Sequence, residues 1–268
     1  MSKWVRIRTK NATARPLRKS MLCEDWAVVR LGSRTPIEEI FPYRRNPIEI
    51  NEVSAIENSR SKIKMKECFA KKKVPQAQWW QTLSTVNLKE LPYPIVAKRV
   101  YGFQGRGMSL LKDEGEFRTW LDTHVDLSGW IFEKFYNYAR EYRCHVARGI
   151  GVFLSWRKLR LKTATERWFF NSQNCEWYGE NHKLFDQPKC WDAMCKAAVL
   201  ALESTGLDLG AVDIRVQSNK QDNPQFIVCE INSAPALGYE GVVEYRKVIK
   251  KLIENKVNER KGNLRGGK

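Results

Sequence analysis

The sequence predicts an α+β protein, in which short antiparallel strands are mixed with separate helices. Short runs of β-branched and apolar residues recur between turn signals, as strands require. In residues 189–205, by contrast, the apolar side chains fall on one helical stripe that ends at Gly206, so this segment is the clearest predicted helix. The chain has 268 residues, 43% of them hydrophobic, which is enough to bury a core.

The N-terminal part, residues 1–58, is predicted to form a short, irregular lobe. It contains one clear strand, residues 26–31, followed by turn-rich sequence with several prolines. From residue 52 to residue 73 the apolar positions repeat with helical spacing and stop before Pro75, so one continuous helix is expected there.

The rest of the chain is expected to alternate strands with loops and helices. Residues 59–256 form the main region, and a final helix is expected from residue 242 to about residue 256. The sequence after it is basic and contains glycine, so residues 257–268 are expected to form a flexible tail. The further predicted strands are residues 95–100, 130–133, 142–154, 211–216 and 226–231.

The composition excludes several classes of protein. Ten Trp, nine Tyr and eleven Phe residues are too many for a disordered chain. The uncharged apolar runs fall far short of the ~20 residues that span a bilayer. The N-terminus also lacks the apolar stretch of a secretory signal, so a cytoplasmic protein without a membrane span is expected.

The formal charge is +17, and most of it lies at the two ends of the chain. Residues 1–19 carry seven basic side chains and no acidic one, and residues 246–268 carry nine basic and two acidic side chains. Such ends favour nucleic acid or another acidic macromolecule as a partner. Charged ends that are simply solvated explain the same pattern.

The most informative pattern is a pair of carboxylates on two predicted strands. The polar sequence between residues 216 and 226 predicts a hairpin, and the alternation of side chains puts Asp213 with Arg215, and Glu230 with Asn232, on one face of each strand. A hairpin that closes about residues 221 and 222 places Asp213 opposite Glu230. Two carboxylates in this arrangement repel each other unless a cation lies between them.

This donor set of carboxylate and amide oxygens suits Mg²⁺, with Mn²⁺ as an alternative. A divalent ion that is bound by few protein ligands usually brings phosphates with it. The simpler explanation, for the pair taken alone, is a polar hairpin that faces solvent.

Two segments upstream fit a nucleotide. Lys98 lies on a predicted strand and precedes a loop that contains Gly105 and Gly107, whose backbone amides could approach phosphate oxygens closely. Alone, this loop also fits a plain hairpin turn. The strand that ends in Glu133, Lys134 and Phe135 is followed by Glu141, which together could hold an adenine base and a ribose. Alone, these residues also fit an edge strand with solvated charges.

In this order, the segments resemble the ATP-grasp carboxylate-amine ligases over about residues 60 to 245. The resemblance implies two α+β lobes whose antiparallel sheets grip ATP, preceded here by a truncated N-terminal lobe. It implies that Lys62 and Lys98 bind phosphates, that Gly105 and Gly107 close over them, that Glu133, Lys134 and Phe135 form the adenine linker, that Glu141 binds ribose, and that Asp213, Glu230 and Asn232 bind Mg²⁺.

The pattern is most similar to the RimK-like ligases that add glutamate to a ribosomal protein, and D-alanine–D-alanine ligase is a more distant likeness. Related ligases are often homo-oligomers. The sequence departs from the family pattern in two motifs: Ala211 stands where D-alanine ligases keep an arginine, and Ala234-Pro235-Ala236 replaces the usual Ser-Pro-Gly. A third departure concerns the substrate, because the region before Lys62 is shorter and richer in proline than the family domain that commonly helps to bind the carboxylate or amine.

The resemblance also implies a mechanism. A carboxylate attacks the γ-phosphoryl group of ATP to give an acyl phosphate and ADP. An amine substrate then attacks the acyl phosphate, which forms the amide and releases phosphate; the substrates are an amino acid, a peptide or a protein. Arg215 could stabilise the acyl phosphate or form a salt bridge with a carboxylate. In the family a further basic residue between the linker and the metal strands contacts the acyl phosphate, and the candidates are Arg157, Lys158, Arg160, Lys162 and Arg167.

Two alternative functions remain at this stage. One is a basic, nucleic-acid-associated protein that keeps the fold as a scaffold. The other is an ATP-grasp kinase, which phosphorylates a hydroxyl group and forms no amide.

Overall fold

The computed structural model describes residues 3–10, 12–18, 21–23, 25–43, 46–81, 87–102, 105, 107–171, 173–217 and 222–266. Its strands are β1 (Lys3–Thr9), β2 (Leu22–Cys23), β3 (Ala27–Leu31), β4 (Ile48–Ile50), β5 (Trp79–Trp80), β6 (Ile95–Arg99), β7 (Met108–Leu111), β8 (Trp130–Lys134), β9 (Arg140–Ala147), β10 (Gly151–Arg160), β11 (Cys175–Gly179), β12 (Leu209–Val216) and β13 (Phe226–Asn232). Its α-helices are α1 (Ile37–Ile40), α2 (Val53–Arg60), α3 (Lys62–Lys71), α4 (Glu114–Asp122), α5 (Trp191–Thr205) and α6 (Tyr239–Gly266).

The N-terminal residues form a sheet in the order β2-β1-β3-β4, in which β1, β3 and β4 are parallel. Its apolar side chains, among them Val5 and Val29, pack on Tyr245 and Ile249 of α6. Only β3 is close to a predicted strand. The sequence analysis missed β1 because its inward apolar residues alternate with outward arginines, which read as a basic terminus rather than as half-buried strand.

The middle sheet, in the order β5-β8-β6-β7, is antiparallel. It packs against α4 through a core of apolar and aromatic side chains that includes Phe117, Trp120 and Phe132. The segment between β6 and β7 includes Gly102, Gly105 and Gly107.

The C-terminal sheet, in the order β11-β10-β9-β12-β13, is also antiparallel. One face, with Tyr142, Cys144 and Val212, packs on α2, α3 and α5. Because side chains alternate along a strand, charged residues at the intervening positions share the opposite face. That face carries the candidate site.

Several predicted elements have different bounds. The continuous helix expected over residues 52–73 is wrong: it divides into α2 and α3 at Ser61, which is extended (φ −81°, ψ 117°) and caps α3 by accepting from the backbone amide of Lys64. The strand expected over residues 142–154 is wrong as well. It is a hairpin of β9 and β10, whose turn is made possible by the positive φ of Gly149 and Gly151.

The helix α5 and its end at Gly206, which has φ +81°, confirm the prediction. The last helix is longer than predicted, because α6 starts at Tyr239 and continues through the expected flexible tail to Gly266. Part of the reason is Arg260, whose guanidinium donates to the carbonyls of Asn46 and Pro47. None of the helices in the described ranges is long and apolar enough to span a membrane.

Candidate functional site

The charged face of the C-terminal sheet confirms the predicted pairing of the two carboxylates. Asp213 of β12 lies directly opposite Glu230 of β13. On its other side, Asp213 lies opposite Arg143 of β9, and Arg215 lies opposite Glu141 of the same strand. Three strands therefore bring acidic and basic side chains together on one surface.

The charge of Asp213 is balanced by side chains of the protein itself. Arg143 donates from Nε to Oδ1 and from Nη2 to Oδ2, both at 2.7 Å, and Lys158 Nζ lies 3.0 Å from Oδ2. Burial alone would raise the pKa of Asp213, but Arg143 and Lys158 hold it well below its usual range. Asp213 is therefore ionised and held tightly.

Lys158 connects Asp213 to Glu141. Its Nζ donates to Glu141 Oε1, and Arg215 Nε donates to Glu141 Oε2 at 2.9 Å. Glu141, expected to bind ribose, thus lies buried within an ion-pair network. Of the two uses foreseen for Arg215, the structure shows the salt bridge, and it is made with Glu141.

Glu230 and Asn232 are less constrained. Asn232 Nδ2 donates to Glu230 Oε1 at 3.0 Å, and Glu230 forms no ion pair with any residue in the described parts of the chain. Within those parts no group of three or more His, Cys, Asp or Glu side chains could hold a metal ion by itself. A divalent ion at this place would need the oxygens of Glu230 and Asn232 together with oxygens of a bound phosphate.

Three further lysines belong to the candidate site. Lys62 and Lys66 come from α3, and Lys98 comes from β6 of the middle sheet. Lys98 Nζ donates to Glu133 Oε2 at 2.9 Å, and Lys66 Nζ lies 3.4 Å from the same oxygen. Burial would raise the pKa of Glu133, but the two ammonium groups lower it to about 2. Lys62 Nζ donates to the carbonyl of Gly102 at 3.0 Å, next to the glycine loop. Burial lowers the pKa of Lys62, although the Glu230 carboxylate opposes this shift.

The glycine loop has a steric requirement at Gly105. This residue has φ +73°, and a Cβ atom added there would lie 2.7 Å from Cε2 of Phe169. Gly107 also has a positive φ, +66°. Residues 103, 104 and 106 of the loop lie outside the described residues. Gly105 therefore permits close approach between the middle sheet and the segment that joins β10 to β11.

That segment carries three successive aromatic residues which the sequence analysis missed. Trp168 packs edge-on against Phe135 with ring centroids 6.4 Å apart, Phe169 meets Gly105, and the Phe170 ring lies 5.2 Å from the guanidinium carbon of Arg215. Their signal was visible as an uncharged aromatic run after basic sequence. The three rings close one side of the site.

The residues expected to form the adenine linker are the last two residues of β8, Glu133 and Lys134, and the residue after the strand, Phe135. A cavity of about 530 Å³ is lined by residues 134–139 and Gln217, so Lys134 and Phe135 face open space. Glu133 precedes them and points instead to Lys66 and Lys98.

Two of the candidate basic residues, Arg157 and Arg167, form no ion pair with these carboxylates within the described parts of the chain. Arg157 lies on the other face of β10, where its Nη1 donates to the carbonyl of Leu184 at 2.7 Å. Arg167 is exposed. Strand alternation explains the correction: in β10 it is Lys158, the neighbour of Arg157, that points towards Asp213. The cations missed entirely are Arg143, two residues after Glu141, and Lys66, one helical turn after Lys62.

Comparison with known proteins identifies the fold. No family model matches the sequence, and a search of the curated proteins found no match. Among solved structures, the chain is similar to D-alanine–D-alanine ligase from Bacillus anthracis complexed with ATP, with a TM-score of 0.62 and 16% identity over 88% of this chain and 81% of that chain. The chain has the ATP-grasp fold.

Further structures with the ATP-grasp fold agree. D-alanine–D-alanine ligase from Coxiella burnetii gives a TM-score of 0.59 at 15% identity, covering 89% of this chain and 72% of that one. Carboxyaminoimidazole ribonucleotide synthase from Aspergillus clavatus, complexed with ATP, gives a TM-score of 0.56 at 18% identity. The match covers 77% of this chain and 53% of that one. The predicted α+β class with antiparallel sheets is confirmed.

Proposed function

We propose that the protein is an ATP-dependent carboxylate-amine ligase that forms an amide bond through an acyl phosphate. The observation that carries the proposal is the excess of positively charged side chains at the candidate site of an ATP-grasp fold. Among the described residues, six cationic side chains meet four carboxylates, a surplus that suits a polyphosphate. The cations are Lys62, Lys66, Lys98, Arg143, Lys158 and Arg215, and the carboxylates are Glu133, Glu141, Asp213 and Glu230.

The nucleotide is proposed to lie between the middle and C-terminal sheets. Lys134 and Phe135 line the cavity for the base, while Lys62, Lys98 and the loop with Gly105 and Gly107 hold the phosphates. Two structures that resemble this chain, those of D-alanine–D-alanine ligase and carboxyaminoimidazole ribonucleotide synthase, are complexes with ATP, which supports ATP as the ligand.

Glu230 and Asn232 fit Mg²⁺, because both offer hard oxygens and Glu230 lacks an ion-pair partner in the described parts of the chain. The ion would neutralise charge on the phosphates. Asp213 is the third proposed ligand, although both its oxygens already accept hydrogen bonds, so it would exchange a bond to Arg143 or Lys158 for the metal.

Arg143, Lys158 and Arg215 are proposed to stabilise the acyl phosphate. Glu141 holds Lys158 and Arg215, and Asp213 gives up only one of its bonds to Arg143 or Lys158 if it binds the metal, so little reorganisation is needed as charge develops. Trp177 packs over the same cations, with its ring centroid 4.7 Å from the guanidinium carbon of Arg143 and 4.8 Å from Lys158 Nζ. This ring shields one side of the reactive intermediate from water.

The substrates are proposed to be a carboxylate and an amine that belong to an amino acid, a peptide or a protein, as in RimK-like ligases. The sequence motif from Glu230 to Pro235 carries this finer assignment. The basic ends of the chain are proposed to favour an acidic macromolecule as one of the two substrates.

The test is ADP release with Mg²⁺ and mixtures of carboxylates and amines. We expect release that needs both substrates and a product whose mass shows an amide. Glu230→Gln should abolish it, whereas Glu254→Gln, which changes an exposed carboxylate on α6, should not. A phosphorylated hydroxyl product would instead establish the kinase alternative, and activity that survives Glu230→Gln would reject the site.

A further inference from the structure

The N-terminal sheet is covered on one face and only partly covered on the other. On the inner face, Val5 and Ile7 of β1 pack with α6. On the outer face, Ile40 of α1 and the adjoining Phe41 cover Val28 of β3, whereas the outward side chains of the neighbouring strand β1 are exposed. Parallel strands are usually covered on both faces, so the open half of this outer face is a place where a partner can bind.

The exposed side chains of β1 are two arginines whose charge the protein does not neutralise. Arg6 and Arg8 alternate with the buried residues of the strand, so both point outwards. Neither forms a hydrogen bond or an ion pair with a residue in the described parts of the chain. Within the described strands of this sheet the one acidic side chain is Glu49, which is already paired with Arg30 of β3. An anionic partner would therefore meet two free guanidinium groups.

These arginines do not belong to a solvated tail, which was the simpler explanation for the basic N-terminus. The strand β1 pairs with β3 from Val5 to Thr9, and its inward side chains are part of the core beneath α6. The two guanidinium groups therefore project from an ordered strand. A strand rises by ~3.4 Å per residue, so Arg6 and Arg8 are separated by ~7 Å along it. This separation is comparable to that of successive phosphates in an extended nucleic-acid strand.

A phosphate backbone fits this pair better than other anionic partners do. The planar guanidinium group binds phosphate oxygens through two parallel hydrogen bonds and keeps its charge at every physiological pH. A membrane surface binds most firmly when apolar side chains enter it, but Val5 and Ile7 of the same strand face α6 instead. A row of charges along one extended strand is complementary to a linear polyanion.

We propose that the outer face of β1 is a docking surface for single-stranded nucleic acid, on which Arg6 and Arg8 contact successive phosphates. Contacts to phosphates carry no sequence information, so binding is expected to be independent of base sequence. The inference goes beyond the proposed ligase activity and uses none of the residues of its site.

The experiment measures binding of a fluorescent oligouridylate to the full-length protein by anisotropy, at salt concentrations from about 50 to about 200 mM. The double variant Arg6→Gln with Arg8→Gln should bind about tenfold more weakly at the lowest salt concentration. The slope of log Kd against log salt should also fall by about 1.4, because each phosphate contact on a single strand contributes about 0.7. The matched control is Lys71→Gln with Lys72→Gln, which removes the same charge from two exposed lysines at the end of α3 and should keep both affinity and slope.

A loss confined to the arginine variant supports the inference, provided that its melting temperature is kept and that Arg6→Lys with Arg8→Lys retains the slope. Equal losses in the arginine and lysine variants overturn it, because the attraction would then depend on net charge alone. An arginine variant that fails to fold also overturns it, since the argument requires both side chains to be free and exposed.

Two further results would overturn the inference. One is wild type that does not bind the oligouridylate at the lowest salt concentration. The other is displacement of the oligouridylate by polyglutamate or by phosphatidylserine vesicles as effectively as by unlabelled oligouridylate at equal charge, which would assign the surface to a different class of partner. Lys98→Met should bind the oligouridylate as wild type does, so failure of this surface is distinguishable from failure of the proposed nucleotide site.

Discussion

Arg143 holds Asp213 through two parallel hydrogen bonds of 2.7 Å across neighbouring strands of the C-terminal sheet. The sequence analysis expected a cation between Asp213 and Glu230, because the two carboxylates otherwise repel each other. In the structure, the guanidinium of Arg143 supplies a positive charge beside Asp213. Both partners are almost fully buried, so the pair is shielded from salt and costly to break. The consequence is a preorganised cation at the place where the proposed acyl phosphate forms.

Replacing Arg143 should damage both stability and turnover. Arg143→Met leaves Asp213 with Lys158 alone, and we expect the free energy of unfolding to fall by about 3 kcal/mol. ADP release should drop by roughly 100-fold or more, because a preorganised positive charge is lost. Denaturant titration and steady-state kinetics measure the two effects.

The matched control for Arg143 is Arg157→Met, since Arg157 lies on the opposite face of the same sheet beside Leu184. It should keep turnover within a few-fold of wild type. Equal losses of turnover in the two variants would contradict the assignment of faces.

The glycine loop should not tolerate a side chain at Gly105. Gly105→Ala places a methyl group in a left-handed backbone conformation and against Phe169, at a cost of about 1–2 kcal/mol. We expect the Kd for an ATP analogue to rise about tenfold. Gly262→Ala, where a methyl group meets open space on α6, should leave the Kd unchanged. If Gly105→Ala binds the ATP analogue with the wild-type Kd, the close contact between Gly105 and Phe169 is not needed for nucleotide binding.

His145 should make the protein sensitive to mild acid. Burial and the nearby Arg143 guanidinium lower the pKa of this imidazole to about 3, and its Nδ1 lies 2.8 Å from the hydroxyl of Tyr245. In the unfolded chain the pKa returns to about 6.5, so the unfolded state binds the extra proton and stability is lost as the pH falls from 6.5 towards 3. This residue alone should lower the free energy of unfolding by about 2 kcal/mol between pH 7.5 and pH 5.

Urea titrations at the two pH values measure this effect. His145→Gln should remove about 2 kcal/mol of the pH dependence. Tyr245→Phe deletes the hydrogen bond but keeps the imidazole, so it should lower stability at both pH values and retain the slope. An unchanged slope in His145→Gln would contradict the buried neutral imidazole.

Strand alternation and a short hairpin predicted the pairing of Asp213 with Glu230. The structure contains this pair, but reaches it through a register shift between Asp213 and Ile214 that the sequence pattern did not reveal. Local pattern failed where partners are distant in sequence. The assignment of Lys66 to Glu133 depends on how α3 packs between two sheets, and no local spacing encodes that contact. The parallel pairing of β1 with β3 is also non-local, because parallel strands need a connection between them, here through residues 10–26.

The sequence left Arg157 and Lys158 as open candidates among five for a different reason. The predicted strand over residues 142–154 concealed a hairpin and a register shift between Val152 and Leu154. A shift of one residue exchanges the two faces of a strand. The sequence therefore could not predict which residues of β10 point towards Asp213.

The most direct test of the account is the change in melting temperature that an ATP analogue with Mg²⁺ produces in wild type and in Lys98→Met. A ligand that binds only the folded state raises the melting temperature by mass action. We predict a shift in wild type that requires Mg²⁺ and is lost in Lys98→Met, with Lys112→Met, an exposed lysine beyond β7, behaving as wild type. A folded wild-type protein that shows no shift at millimolar nucleotide would contradict the claim that this cleft binds ATP.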